Sequence, residues 1–411
     1  MRKNFFIAPS DFEMQRTVIP ALKEGEIYLD NAATTFPVKP VIDALMEWYH
    51  EYHASVYRGI YHRAEYATER YEAVRTEIAS WIGARSSEEI VLTRGATEGC
   101  NLVALSWLAH QLNPGDEIVV TGLEHHANLL PWIELARQKS AKVVTIPLQE
   151  DLSLCLNDLD TIITERTRLV ALTGSSHIVG PHAPDVLSHI IQKARSVRAA
   201  VLVDAAQMVA HQRINVQDLG ADFVVFSGHK MCGPTGVGVL YCARRMHEQM
   251  CPVYVGGGMV ADATAQQPVW LPMPRRLEAG TPSTASVIGL GAAIQFFKNM
   301  DMDCIQRHEA YLTRLMIEGL EKFPQVKILG NRIILREQGH MVTCTVEGMH
   351  PHDVAAALAE QGVCVRAGNH CAQALHERLG IAGSVRMSFA WYTTESDINS
   401  CLQAFEKMLQ K

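Results

Sequence analysis

From residue 88 to residue 242 the chain repeats one rhythm: a short β-branched apolar run, a turn, then a stretch with apolar residues three and four apart. The runs are EIVLT (89–93), EIVV (117–120), KVVTIPL (142–148), RLVALTG (168–174), AAVLVD (199–204), FVVFSG (223–228) and GVGVLYC (236–242). Between them lie segments of helical spacing such as TEGCNLVALSWLAHQL (97–112). This alternation predicts an α/β fold, a mainly parallel seven-stranded sheet covered by helices on both faces. In open sheets of that class, ligands sit beyond the carboxyl ends of the strands, so the residues just after each run matter most.

The rhythm then changes. Residues 251–283, with CPVYVGGGMV, QQPVWLPMPRR and AGTPS, read as long functional loops rather than core elements. After about residue 300, HMVTCTVEG (340–348), VCVRAG (363–368) and SVRMSFA (384–390) read as strands, interleaved with helices such as HDVAAALAEQG (352–362). The expected organisation is an N-terminal segment 1–25 that joins the smaller domain, a large domain 26–295, and a smaller α+β domain 296–411. There are no internal repeats.

Composition narrows the classes. With 411 residues, 48% of them hydrophobic, the chain can bury a sizeable core. The net charge of −7 comes without a basic tail or a run of like charge, so no nucleic-acid partner is expected. No apolar run reaches the ~18 residues of a membrane-spanning helix. The opening MRKNFFIAPSDFEMQ lacks a long apolar stretch and does not read as a signal peptide, so a cytoplasmic location is expected. The ten cysteines are scattered with no CxxC pair, which speaks against a disulfide framework and against a zinc site.

Four strand ends carry chemistry. RGATEG (94–99) puts Gly95 and Thr97 at a helix start, a place suited to an anion. EHHANLLPW (124–132) places His125 and His126 after the second run. Asp204 closes an apolar strand, where a carboxylate stays ionised only beside a cation. In FSGHKMCGPTGVGVLY (226–241), His229 and Lys230 follow a buried run among glycines. Desolvation there disfavours the ammonium, and a neutral amine can form a Schiff base. Singly, each has a plain structural reading: a helix cap, a packed histidine, a lysine whose stem runs out to water. Together they are the parts that pyridoxal 5′-phosphate needs, with Asp204 facing the ring nitrogen.

YLDNAATT (28–35), RGATEG, EHHANLLPW, VDAAQ (203–207), FSGHKMCGPTGVGVLY, LEAGTPS (277–283) and RAGNHCAQ (366–373) resemble, in order along nearly the whole chain, the cysteine desulfurases. These belong to the class V aminotransferase group of fold-type I pyridoxal-phosphate enzymes. The cysteine motif is similar to that of the group II members, and RAGxHCAQ resembles their cysteine sulfinate desulfinase branch. The resemblance implies that Lys230 holds the cofactor, Asp204 meets its pyridine nitrogen, Gln207 its phenolic oxygen, and His125 its ring. Ala96, Thr97, Ser227 and His229 would hold the phosphate, together with Gly280 and Thr281 of a neighbouring subunit, which implies a homodimer. Arg386 would clamp the substrate carboxylate, with Arg366, Arg58 and His177 also on the substrate side. Cys371 would take sulfur from L-cysteine as a persulfide, leaving alanine, with His125 as acid and base. Because the loop from Arg366 to Cys371 is short, a sulfur-acceptor protein is expected.

Three positions depart from that pattern. His177 in SSHIVG (175–180) stands where the family commonly has asparagine, Tyr57 where it has histidine, and Ser283 where it has asparagine. They leave room for a different preference among cysteine, selenocysteine and cysteine sulfinate. Another class V enzyme, or a partner subunit that keeps the fold without catalysis, are the competing readings. The joint presence of Lys230, Asp204, His125, Arg386 and Cys371 speaks against the last.

Overall fold

The computed structural model describes residues 16–264 and 267–410. Each of the seven runs forms a strand with ends within two residues of the sequence reading. They are β1 (Ile90–Thr93), β2 (Glu117–Thr121), β3 (Lys142–Ile146), β4 (Thr167–Thr173), β5 (Ala200–Asp204), β6 (Phe223–Ser227) and β7 (Gly238–Cys242). The sheet order is β1-β7-β6-β5-β4-β2-β3. Only β7 runs against its neighbours. Every residue of β2, β5, β6 and β7 is buried. That is why these strands read as continuous apolar runs rather than alternating ones. Register sets Thr173 beside Asp204, and Asp204 beside Val225, so the ends of β4, β5 and β6 lie side by side.

One close approach depends on a missing side chain. A Cβ on Gly238 would lie 2.4 Å from the Cα of Gly95, so β7 can pass the turn after β1 only as glycine. Gly238→Ala is expected to destabilise the protein by ~1–3 kcal/mol through overpacking, read as a lower denaturant midpoint at unchanged slope.

The chain continues into a second, antiparallel sheet: β8 (Val326–Leu329), β9 (Met341–Val346), β10 (Arg366–Gly368) and β11 (Ser384–Ser388), in the order β8-β9-β11-β10. Here the structure corrects the sequence reading twice. VCVRAG is not one strand: Val363–Cys364 pairs in parallel with Ile27–Tyr28, and only Arg366–Gly368 joins the four-stranded sheet. Val363 is driven into the core, whereas residues 366–368 are half-buried at a sheet edge. The strand Val326–Leu329, with only its last two residues buried, was too weakly apolar to be read. Segment 251–283 includes one exposed hairpin, Val260–Ala263 with Pro268–Trp270, among its loops.

Two apolar cores result. The larger wraps the seven-stranded sheet. The smaller gathers Leu29, Leu312, Met316, Val342, Met387 and Phe405 around the second sheet. Of the N-terminal segment expected to join the smaller domain, residues 1–15 lie outside the described residues. Arg16 pairs with Asp397 at 2.7 Å, while Ile19 packs into the larger core. No helix among the described residues is long and apolar enough to cross a membrane.

Candidate active site

A cleft of about 280 Å³ opens where the ends of β4, β5 and β6 meet the second sheet. It brings together twelve of the fifteen residues singled out from the sequence: Ala96, Thr97, His125, His177, Asp204, Gln207, Ser227, His229, Lys230, Arg366, Cys371 and Arg386. Arg58, Gly280 and Thr281 are not among its lining residues, and all three are exposed.

Lys230 ends the short turn Gly228–Lys230 after β6. Its peptide is tied down from the N-terminal side. The His229 carbonyl accepts from the Thr35 amide at 2.9 Å and from the hydroxyls of Thr35 and Thr34 at 3.0 and 3.2 Å. Burial pushes the Lys230 amine down to about 8, against the pull of Asp204; Arg386 and Arg366 lower it further. The amine is therefore partly neutral near physiological pH. Its uptake of an aldehyde in the cofactor-free chain is expected to accelerate with pH and level off just above about 8. An ordinary lysine, with a value of 10.5, would still be accelerating there. Stopped-flow absorbance reads this directly.

Asp204 is buried, and its Oδ1 accepts from the Ala206 amide at 2.9 Å. Desolvation raises its pKa, opposed by that bond and by Lys230. Gln207 donates from Nε2 to the Ala32 carbonyl at 2.8 Å. Ser227 Oγ accepts from the Ala96 amide at 2.9 Å, which leaves the hydroxyl proton to be given elsewhere. The Ala96 N–H at the helix start is thus engaged by Ser227.

His125 sits on a turn held by Glu124. That carboxyl is buried and bonded to Thr121 Oγ1 (2.7 Å), the Thr173 amide (2.8 Å) and Asn128 Nδ2 (2.6 Å). Burial pushes Glu124 up to about 8. His125 Nδ1 accepts from the Ala127 amide at 3.0 Å, so the ring proton sits on Nε2. Burial, helped by Lys230, pushes His125 down to about 4, and the ring is neutral at pH 7. The His177 ring meets it edge-on, centroids 4.9 Å apart at 74°. His177 is buried, its Nε2 has no hydrogen-bond partner among the described residues, and burial holds its pKa well below the usual histidine range.

Arg386, on β11, is buried but keeps a charge: burial lowers it to about 10 while Asp30 works against that. Its Nη1 donates to the His177 carbonyl at 2.9 Å and its Nη2 pairs with Asp30 at 3.2 Å. Cys371 is half-buried on the loop after β10.

Sequence reasoning missed the work of residues 30–35. Beyond Asp30 and the two threonines, Asn31 Nδ2 donates to the Ser388 carbonyl at 2.9 Å and Ser388 Oγ accepts from the Ala32 amide at 2.8 Å. The quoted stretch YLDNAATT was the available signal. Glu124 was missed as well; its place beside two histidines was its only mark.

The donor set fits pyridoxal 5′-phosphate. A half-buried lysine amine and a buried acid share the cleft with hydroxyls and an imidazole, and the volume lies just below the ~300–1,000 Å³ typical of small-molecule sites.

Comparison with known proteins agrees with this geometry. The aminotransferase class-V family matches residues 27–401. A cysteine desulfurase of Enterobacter sp. (strain 638) is 41% identical over 382 residues, 93% of this chain and 93% of that protein. A probable cysteine desulfurase of Halalkalibacterium halodurans is 40% identical over 381 residues, 93% of this chain and 92% of its own. The crystal structure of the Escherichia coli cysteine desulfurase CsdA, in an S-sulfonic acid form, has a TM-score of 0.90 at 37% identity, covering 98% of each chain.

Proposed function

This chain belongs to the aminotransferase class-V family and, within it, to the cysteine desulfurases, and from that premise we propose how its own residues divide the work of turning L-cysteine into L-alanine. The observation that carries the proposal is one cleft holding an amine of lowered basicity, a buried acid, a buried guanidinium and a thiol: Lys230, Asp204, Arg386 and Cys371.

Lys230, Asp204, Gln207, His125, Ser227, Thr97, Ala96 and His229 would hold pyridoxal 5′-phosphate. Bound there, the cofactor supplies an electron sink for the charge left on the substrate Cα. Arg386 binds the substrate carboxylate, a task suited to a planar fork of donors. Arg366 adds positive charge on the same side. Lys230 Nζ takes the Cα proton. The Cys371 thiolate then attacks the substrate sulfur: an S–S bond forms as the C–S bond breaks, the electron pair of that bond goes to Cβ, which takes up a proton, and the proton held by Lys230 returns to Cα to complete alanine. His125 offers Nε2 alone for proton exchange, because Nδ1 is occupied.

Arg58, Gly280 and Thr281 form a second group. The Gly280 amide donates to the Gly257 carbonyl at 2.7 Å, and a Cβ on Gly257 would lie 2.9 Å from Arg58 Nη2. Their grouping apart from their own cleft supports a homodimer in which Gly280 and Thr281 complete the neighbour's phosphate site and Arg58 lies on its substrate side. A protein acceptor for the sulfur is in keeping with the short loop that carries Cys371. A cytoplasmic location belongs to the same reading, supported by ten free cysteines.

The test is turnover of the purified holoenzyme with L-cysteine and a reductant. Sulfide and alanine are expected in equal amounts, and the Cys371 peptide should gain the mass of one sulfur atom before the reductant is added. Alanine without sulfur on that peptide would remove Cys371 from the scheme.

A further inference from the structure

The sulfur-receiving thiol stands on unusual backbone. His370 and Cys371 have φ of +49° and +61°, in the left-handed region that side chains with a Cβ seldom occupy. Two such residues in a row persist only where the surroundings hold them.

They are held by a buried network anchored on Ser384, the first residue of β11. Ser384 Oγ lies 2.9 Å from His376 Nε2, and His376 Nδ1 lies 2.9 Å from the Ala372 carbonyl. His370 Nε2 lies 3.0 Å from the Ser384 carbonyl. Carbonyl oxygens only accept, so His376 carries its proton on Nδ1 and His370 on Nε2. His376 Nε2 then accepts the Ser384 hydroxyl. Ser384, His376, Ala372 and His370 are all at most 4% exposed. From the opposite wall the His126 amide donates to the Cys371 carbonyl at 2.9 Å. Ser384 precedes Arg386 by two positions, so both side chains project from the same face of one strand. That strand therefore carries the grip on the substrate carboxylate and the anchor of the thiol loop.

We infer that His376, set by Ser384, is a positioning residue for the Cys371 thiol: it bonds the carbonyl of Ala372, the residue after the cysteine, to the strand that carries Arg386. The distance between the bound carboxylate and the attacking sulfur is thereby fixed by β11 rather than by a mobile loop. This rests on Cys371 as the sulfur-receiving thiol. Sulfinate departs from carbon more readily than sulfide and depends less on a thiol acceptor. Loosening the loop consequently slows cysteine and spares cysteine sulfinate, a split that general damage to the fold does not produce.

The experiment compares His376→Phe, His376→Asn and Ser384→Ala as holoenzymes, with kcat and KM for cysteine and cysteine sulfinate, cofactor absorbance, and the rate of Cys371 alkylation by iodoacetamide followed by mass. Phenylalanine fills the space without the bonds, and is expected to lower kcat for cysteine by ~10–100-fold, the cost of a misplacement of about 1 Å. Cysteine sulfinate turnover and absorbance should stay within about twofold of the wild type, and the alkylation rate should change. His376→Asn, whose amide can donate to the Ala372 carbonyl, should recover most of the loss, and Ser384→Ala should show a milder version of the same split. Equal losses on both substrates, or unchanged cysteine turnover, overturn the inference. Should His376→Phe fail to retain cofactor, Ser384→Ala decides by the same two criteria. A failure of the Cys371 assignment is separately visible: Cys371→Ala would then keep cysteine activity while the alkylation rates still report the loop.

Discussion

Lys230→Ala is expected to leave a folded protein that no longer attaches its cofactor covalently and turns over cysteine at least ~10³-fold more slowly, the scale of losing a positioned base and covalent anchor together. The reasons lie in the cleft. Its other full cations, Arg386 and Arg366, are guanidinium groups, which neither form imines nor give up a proton near neutral pH. Lys230 combines a primary amine with an environment that pushes it down to about 8. Lys230→Arg keeps charge and length yet should be as inactive as the alanine variant, because the chemistry needs a nitrogen that can be neutral. Borohydride trapping followed by peptide mass, run beside turnover, checks both variants. Residual activity above about one per cent, on a scale where positioned bases contribute ~10²–10⁴-fold, would assign the proton transfer to another residue.

The second large effect concerns Cys371→Ala. Cysteine turnover is expected to fall by at least ~10²-fold, the lower range for loss of a group acting only in the transition state. KM and the cofactor spectrum should change little. Sulfide is a poor leaving group, and without a thiolate to receive the sulfur the C–S bond has no low-barrier route to break. In the proposed scheme Arg386 would still bind the carboxylate and Lys230 would still move the Cα proton, so substrate binding and proton exchange at Cα should survive. Incubation in deuterated water separates the steps: the variant should exchange the Cα proton of cysteine while releasing almost no sulfide. Cysteine sulfinate, with its better leaving group, should retain most of its rate. If both substrates collapse together, Cys371 serves the fold or the proton step instead. The His177 ring meets that of His125 edge-on, and its Nε2 has no hydrogen-bond partner among the described residues.

Much of this site could be read in one dimension because the chemistry is placed at strand ends. Asp204 follows AAVLV, and Lys230 follows FVVFSGH; an apolar run that stops at a polar residue marks where the chain leaves the sheet. The seven strand positions were legible for the same reason. Burial on both faces demands apolar residues throughout, and that demand is local. The reversal of β7 was not legible, since direction leaves no trace in periodicity. The break inside VCVRAG was invisible too: strand propensity is continuous across Val365, and only the competing partners, Ile27–Tyr28 on one side and β11 on the other, pull the run apart.

The proton positions also needed three dimensions. Nothing near His125 in sequence says that Nδ1 is spoken for; that comes from the turn geometry that presents the Ala127 amide. Asp30 lies 356 residues from the arginine it holds, and the Thr35 hydroxyl 194 from the carbonyl it supports. Such pairs are set by how the two sheets meet.

By itself, then, the amino-acid order determined the α/β class, the strands of the main sheet and the identity of the groups at their ends, because each of these depends on neighbours a few positions away. The tertiary structure alone decided that Arg58, Gly280 and Thr281 stand apart from the cleft, that Arg386 is held by Asp30, and that the Cys371 loop is bonded to β11 through His376. The first two outcomes depend on contacts between segments far apart in sequence, whose geometry is set by packing the two cores against each other; the His376 bonds span only four and eight residues but need the turn between Ala372 and Ser384 to be folded, and periodicity along a chain carries no record of either.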